Sequence, residues 1–317
     1  MAAPAQPSQA ERNERSGLIA AIAAFATWGL IPVYWKLLNK LPAFEILAHR
    51  FVWTTVFLVI LLSWQQRWPE VRDATRSRRA LLYCLASGLS VSINWFFFIW
   101  AVNVGRIIET SLGYFMTPLV NVLFGALFLR ERLTRWQFIS VILALVGVLN
   151  LTFGYGKFPW LAITLCVSFG LYGLLRKKSG VRPIPGLFLE TTLLTPFAAG
   201  YLLYLQRGGA STFSSAPWPL ILLLISTGIV TGLPLVWFGH AARHLRLSTV
   251  GFLQYLSPSC SFFLGVFLYR EPFTRTHLIT FSFIWAALLI FTVEAIWRWR
   301  SNREREEQAA PLAQSAH

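Results

Sequence analysis

Charge is what this sequence has little of. Of its 317 residues only 13% are Asp, Glu, Lys or Arg, while 56% are hydrophobic. A soluble domain carries about 25% charged residues. Half that charge cannot cover the surface of a soluble domain of this size, and so much apolar content excludes a disordered chain. Cysteine is scarce as well. Cys84, Cys166 and Cys260 lie far apart in apolar runs, with no CxxC pair and no Cys/His cluster. That excludes a disulfide framework and a Cys/His metal site, and each cysteine reads as a small hydrophobe. The strings GxxxxGK[ST], HExxH and GxSxG are absent. ATP drive, zinc-protease chemistry and the common serine-hydrolase chemistry therefore lack their usual carriers.

What is present is a succession of long apolar runs. A membrane-spanning helix needs about 20 mainly apolar residues. Ten such spans are predicted, over residues 18–38, 44–62, 80–102, 108–128, 136–153, 158–175, 186–205, 218–240, 249–268 and 276–297. Ala24-Phe25-Ala26 has the small-x-small form of a signal-peptide cleavage site. Too few apolar residues precede it, however, and the run continues past it, so span 1 reads as uncleaved. Residues 1–16 and 298–317 are polar and read as frayed tails. No low-complexity segment or soluble domain is visible.

The net charge of +15 is not gathered into the stripe that a nucleic-acid-binding face needs. It is distributed among short connections. With the amino terminus placed inside, twenty of the 28 Lys and Arg residues fall on inner stretches. They include Arg12 and Arg15, five residues from Arg67 to Arg79, Arg130, Arg132 and Arg135, four from Arg176 to Arg182, Arg243 and Arg246, and Arg298 onward. Six fall outside (Lys40, Arg106, Lys157, Arg207, Arg270 and Arg275), and Lys36 and Arg50 lie within spans. This positive-inside bias puts both termini in the cytoplasm.

The chain also repeats itself. At a shift of 140 residues, 101–135 falls on 241–275 without a gap. Eight identities result: Ala101/Ala241, Arg106/Arg246, Pro118/Pro258, Gly125/Gly265, Arg130/Arg270, Glu131/Glu271, Thr134/Thr274 and Arg135/Arg275. Chance would give about two or three in such a composition. A weaker echo at a shift of 141 sets Trp28-Gly29 and Lys36 on Phe169-Gly170 and Lys177. Span 4 thus pairs with span 9, and the repeat unit is five spans, 17–153 and 154–297. An odd unit inserts upside down the second time, which is an architecture of secondary transporters. A duplication that serves packing alone is the other reading.

Several strings carry a resemblance. The paired Pro-to-Arg-Glu segments ending spans 4 and 9 resemble the two EamA repeats of the drug/metabolite transporter superfamily. The strings Phe44 to Arg50, Asn94 to Asn103, Ser111 to Phe115 and Arg246 to Tyr255 resemble the RarD branch more closely. The resemblance covers about residues 16–300. It implies an all-α integral membrane fold of ten transmembrane helices in two inverted five-helix repeats, a bacterial inner-membrane location and permease activity. The branch is named for chloramphenicol sensitivity or resistance, and chloramphenicol-related efflux is one activity it implies.

Ionisable groups inside a bilayer are costly and need a reason. Span 2 carries Glu45, His49 and Arg50. Glu45 and His49 share a helix face, and Arg50 lies about 100° further round from His49 and roughly 7 Å deeper than Glu45. Glu45 or Glu109 is expected to pair with Arg50, with Asn94 as a bridge and Trp95 and Tyr114 nearby. This outer cluster either pins spans 2, 3 and 4 or lines a gate. Inverted symmetry predicts an inner counterpart from Glu190, Trp237, His240, Gln254 and Tyr255. Glu190 has no basic neighbour in its own span. It is a candidate proton carrier, or a carboxyl held by Thr191 or Thr231. His49 and His240 are candidate proton relays, or satisfied interfacial histidines.

Fourteen Trp, nine Tyr and 26 Phe supply an interfacial belt. Deeper rings such as Trp28, Trp95, Trp100, Tyr114, Trp237 and Tyr255 either pack or stack on a substrate. Prolines 32, 118, 196, 234 and 258 fall within spans, and Pro118 and Pro258 are predicted hinges at matched places. Gly228-x-x-x-Gly232 permits a close helix contact. The expected partners are a small-molecule substrate, the lipid bilayer, protons as a coupling ion and a second copy in a homodimer. No nucleic acid, metal, cofactor or catalytic residue is expected. A membrane-embedded enzyme resting on Glu45, His49 and Arg50, and a sensor or scaffold without transport, are the competing functional classes.

Overall fold

The computed structural model describes residues 9–129, 132–156, 158–209, 211–245 and 253–314, and the described residues are helical with short connections. The helices are α1 (Gln9–Leu37), α2 (Ala43–Trp64), the short α3 (Trp68–Thr75), α4 (Arg78–Asn103), α5 (Ile107–Leu129) and α6 (Arg135–Tyr155). The second half holds α7 (Trp160–Ser179), α8 (Pro183–Arg207), the single-turn α9 (Thr212–Ser215), α10 (Trp218–His244), α11 (Leu256–Phe263) and α12 (Arg275–Gln314). Nine of the described helices are long and apolar enough to cross a bilayer. They match nine of the ten predicted spans. α11 takes the place of span 9, and a π-helical turn over Leu264–Leu268 continues it. Residues 249–252 of that span lie outside the described residues, as do Arg130, Glu131, Lys157 and Arg246.

Two expectations change at the chain ends. Helix is present from the first described residue, Gln9, and extends to Gln314, where frayed tails are predicted from polarity. Both stretches are rich in Arg, Glu and Gln, which are good helix formers. Extending a helix already nucleated in a span costs little.

The bundle is wrapped in apolar side chains. Trp64, Phe153 and Phe197 are each more than three-quarters exposed, a surface that suits lipid and not water. Trp35, Leu38, Ile46, Leu62, Ile99 and Leu165 are fully buried and tie α1, α2, α4 and α7 into the main core.

Helix pairing obeys the repeat. α4 packs on α7 as α10 packs on α1, α5 packs on α7 as α11 packs on α1, and α4 packs on α8 as α10 packs on α2. The pairs α2–α8, α5–α11 and α6–α12 are each a helix against its own counterpart. In two of these self-pairs, residues 140 apart meet. Thr55 Oγ1 lies 2.8 Å from Thr195 Oγ1, and the Phe115 and Tyr255 rings stack at 6.5 Å. Equivalent residues touch each other only at a two-fold axis. Thr55 lies near the middle of α2, so that axis passes through the midplane of the bundle, where an inverted repeat requires it.

The small residues sit where the symmetry needs close approach. A Cβ on Gly29 would collide with Cys260, and one on Gly170 would press on Val120, the equivalent contact in the other repeat. At Gly228 a Cβ would collide with the Trp53 carbonyl, so the Gly228-x-x-x-Gly232 face seats α10 against α2. The two matched prolines behave differently. α5 continues unbroken through Pro118. At Pro258 the chain turns over Gln254–Tyr255 before α11 begins. Pro258 has no N–H to offer Gln254, and the Ser257 N–H reaches that carbonyl instead at 3.4 Å. The two prolines are thus equivalent in sequence but not in backbone geometry.

Candidate functional site

Two polar clusters flank the Thr55–Thr195 contact. Arg50 is one and a half turns from Thr55 along α2, and Glu190 is one and a half turns from Thr195 along α8. At 1.5 Å per residue each lies about 7.5 Å from the axis, on opposite sides. Arg50 and Glu190 are themselves 140 residues apart. One structural position therefore carries a cation in one repeat and a carboxyl in the other.

Arg50 is 7% exposed. Its Nε donates to Thr231 Oγ1 of α10 at 2.9 Å. The guanidinium carbon stands 3.7 Å from the ring centre of Trp95 on α4 and 5.2 Å from that of Trp35 on α1. Such stacking suits a delocalised planar cation. Tyr114 donates to Asn94 Oδ1 at 2.8 Å, while Asn94 Nδ2 donates to the Leu165 carbonyl at 2.9 Å and to Ser168 Oγ at 3.2 Å. Tyr34 donates to the Leu223 carbonyl and lies 2.9 Å from Ser226 Oγ.

The expected ion pairs do not form. Glu45 accepts from Thr212 N and Thr212 Oγ1, both at 3.0 Å. The start of α9 offers those donors at its depth, and a carboxylate is stabilised there. Glu109 is held in a two-pronged bridge by Arg106, three residues earlier and just before α5, at 2.6 Å on both prongs. Asn94 is used up on α5 and α7 and does not bridge to Arg50. His49 points elsewhere. Its ring stacks on Phe213 at 5.2 Å, both ring nitrogens lack a partner, and it lines a separate cleft of about 190 Å³ with Trp53, Gln206 and Ser211.

Glu190 is fully buried. It accepts from Ser87 Oγ of α4 at 2.6 Å, and from Tyr172 and Arg176 of α7 at 3.3 Å each. Arg176 Nη2 also donates to the Pro183 carbonyl at 3.1 Å. The guanidinium crosses α8 over Gly186, where any Cβ would collide with it. The predicted threonine partners are occupied elsewhere: Thr191 bonds back to Phe188 and Thr231 serves Arg50. The other residues expected beside Glu190 do not join it. Trp237 packs in an apolar cluster with Ala20, Ala21 and Phe25. His240 lies 3.1 Å from Ser16 Oγ at the bundle end, Tyr255 sits at the axis, and Gln254 gives its carbonyl to the local turn. Ser87, Tyr172, Arg176 and Trp35 complete the two clusters. The one sequence signal for them is the shift of 141, which pairs Lys36 with Lys177 and also Trp35 with Arg176.

The bundle ends carry carboxylate ties. Glu70 of α3 takes two bonds from Arg67, at 3.0 and 2.8 Å, and one from Arg182 before α8 at 2.8 Å. The Arg67 hydrogen bonds hold its carboxyl below the usual range. At the other end the π-turn and the left-handed Arg270 (φ 51°) return Glu271 to the start of α5. Its two oxygens accept the Ile107 and Ile108 N–H groups at 2.7 and 2.8 Å. Burial nevertheless pushes the Glu271 carboxyl above its ordinary value; the two N–H bonds and Lys36 oppose the shift, and Glu109 reinforces it. A raised folded pKa means the folded chain binds the proton more tightly than the unfolded chain. Stability then falls as pH rises from the ordinary glutamate value through the raised one. Thermal melts of purified protein across that interval should show the decline, and Glu271→Gln should flatten it. An identical pH profile in the variant would remove Glu271 as its source.

An apolar-clad bundle of spanning helices with polar groups buried on both sides of an in-plane two-fold axis defines a multi-pass membrane protein of the inverted-repeat transporter class. The chain belongs to the EamA-like transporter family, whose model matches residues 15–153. It is 45% identical over 293 residues to the uncharacterized transporter YojE of Bacillus subtilis, covering 90% of this chain and 96% of that one. It is 42% identical to the protein RarD of Escherichia coli, covering 91% and 98%. A Pseudomonas aeruginosa relative named chloramphenicol-sensitive protein RarD is 33% identical, covering 94% and 98%. A solved crystal structure superposes with a TM-score of 0.57 at 18% identity, over 89% of this chain and 99% of that one, a likeness of fold alone.

Proposed function

We propose that the chain is a secondary permease that moves a small organic metabolite or drug across the bacterial inner membrane by alternating access. Both termini are cytoplasmic in this reading, and residues 17–153 and 154–297 form the two repeats. The Arg50 cluster then serves the outer half of the passage and the Glu190 cluster the inner half. The observation that carries the proposal is the placement of these two groups at one repeat position, displaced in opposite directions from the Thr55–Thr195 contact. Alternating access needs a polar station on each side of a central site. Glu190 has no basic neighbour in its own span but meets Arg176 of α7, Ser87 and Tyr172; as the candidate proton carrier it takes up a proton when that ion pair opens. Efflux of a chloramphenicol-like drug is one reading of the Pseudomonas relative's name.

Comparison of metabolites in cells with and without the protein supplies candidate substrates. Counterflow of the labelled compound in proteoliposomes then tests the proposal. The wild-type protein should exchange label, and Glu190→Gln, made to equal folded yield, should lower the rate at least about tenfold, the scale of one lost charged hydrogen bond. Full exchange by the variant would take Glu190 out of the mechanism.

A further inference from the structure

The Arg50 cluster is unbalanced in a way that the Glu190 cluster is not. Glu190 has a cation, Arg176, and two hydroxyl donors. Arg50 has no carboxylate partner among the described residues, because Glu45 and Glu109 are engaged with Thr212 and Arg106. Among the described residues only its Nε is bonded, to Thr231. Nη1 and Nη2 meet no acceptor among the described residues. Arg50 keeps 7% of its surface exposed. Trp95 covers a face of the guanidinium at 3.7 Å, which leaves the Nη edge as its free side.

A second unpartnered donor lies beside it, occluded in this state and reached only when the site opens. Trp35 packs its ring 5.2 Å from the Arg50 guanidinium and is fully buried, and its indole Nε1 has no hydrogen-bond partner. The neighbouring Tyr114, Asn94 and Tyr34 are satisfied by one another, by hydroxyls or by backbone carbonyls. Such a site has donors to spare, and among the described residues its only full charge is positive. A buried cation without a counter-charge is strongly disfavoured. The guanidinium fork matches a carboxylate or a phosphate in a two-pronged geometry.

We infer that this site, read as part of the permease passage, takes small organic anions. The anion's carboxylate or phosphate group bonds the Nη edge of Arg50, and its body lies near Trp35 and Trp95. A cationic or neutral compound gains nothing from the spare charge.

The test is a thermal-shift titration of the purified full chain in detergent, at constant ionic strength. Benzoate and phenyl phosphate are the anionic probes, and benzamide and benzylamine are the neutral and cationic controls. At least one anion should raise the melting temperature saturably, by several degrees, while the controls leave it unmoved. Which anion is favoured separates the carboxylate from the phosphate. Arg50→Gln should weaken anion binding about 10- to 100-fold, the range for hydrogen bonds to a charged group. Trp35→Phe keeps the ring, removes only the Nε1 donor and should weaken it a few-fold, so the inference stays testable if Arg50→Gln folds poorly. Equal shifts from benzamide or benzylamine, no shift from either anion, or unchanged affinity in both variants would overturn it. Binding in detergent needs no transport. Anion binding without flux in liposomes would sink the permease reading alone. Flux of neutral or cationic substrates that is indifferent to Arg50→Gln would sink the anion site alone.

Discussion

Arg176→Ala should destabilise the folded protein by about 3–5 kcal/mol, the cost of breaking a buried ion pair by removing one partner. Glu190 has no exposed surface. Without Arg176 it keeps only Ser87 and Tyr172, at 2.6 and 3.3 Å, and neither carries a compensating charge. The guanidinium also ties the carboxyl to the Pro183 carbonyl at the start of α8, so that helix end loosens as well. The double variant Arg176→Ala with Glu190→Gln removes both charges and should recover most of the loss, because a neutral amide is far cheaper to bury. Denaturant unfolding in mixed micelles measures all three proteins. A single-variant loss below about 1 kcal/mol is the level of exposed pairs and would mean that the pair is hydrated. A double variant no better than Arg176→Ala would mean that Arg176 acts through packing and not through charge.

The same pair marks where a sequence stops being informative. The spans were legible because hydropathy over some 20 residues responds to the bilayer alone. Their pairing was legible because the 140-residue shift relates whole helices. Side-chain partners were not, since a helical wheel says which residues share a face and leaves open what that face meets. Position along α2 predicts that Glu45 reaches Arg50, but the start of α9 captures it. Arg176 follows the apolar run and so reads as a loop charge. Its side chain nevertheless turns inward across Gly186. Trp237, His240, Gln254 and Tyr255 share Glu190's side of the bundle by depth alone, and depth does not fix rotation about the helix axis. The helical ends around Gln9 and Gln314 have a different reason: polarity alone suggests fraying, where helix propensity and a membrane-anchored nucleus prevail.

The symmetry relation makes the sharpest demand on geometry. Thr55→Cys together with Thr195→Cys, in a background with Cys84, Cys166 and Cys260 replaced, should form a disulfide in nearly every molecule under mild oxidation. The native hydroxyl oxygens lie 2.8 Å apart, so the side chains already point at one another within the reach of an unstrained bridge. A protease site placed between α6 and α7 turns this into a gel assay: oxidised halves stay joined after cleavage and separate when reduced. Thr54→Cys with Thr195→Cys is the control. One residue rotates a side chain by about 100° around α2, which aims position 54 away from α8, so its halves should come apart. The contrast rests on the register of 140 and on nothing else in the sequence. A slip of one residue in either repeat would exchange the two outcomes and move the axis off the midpoint of α2. Arg50 and Glu190 would then no longer occupy one position seen from opposite sides of the membrane.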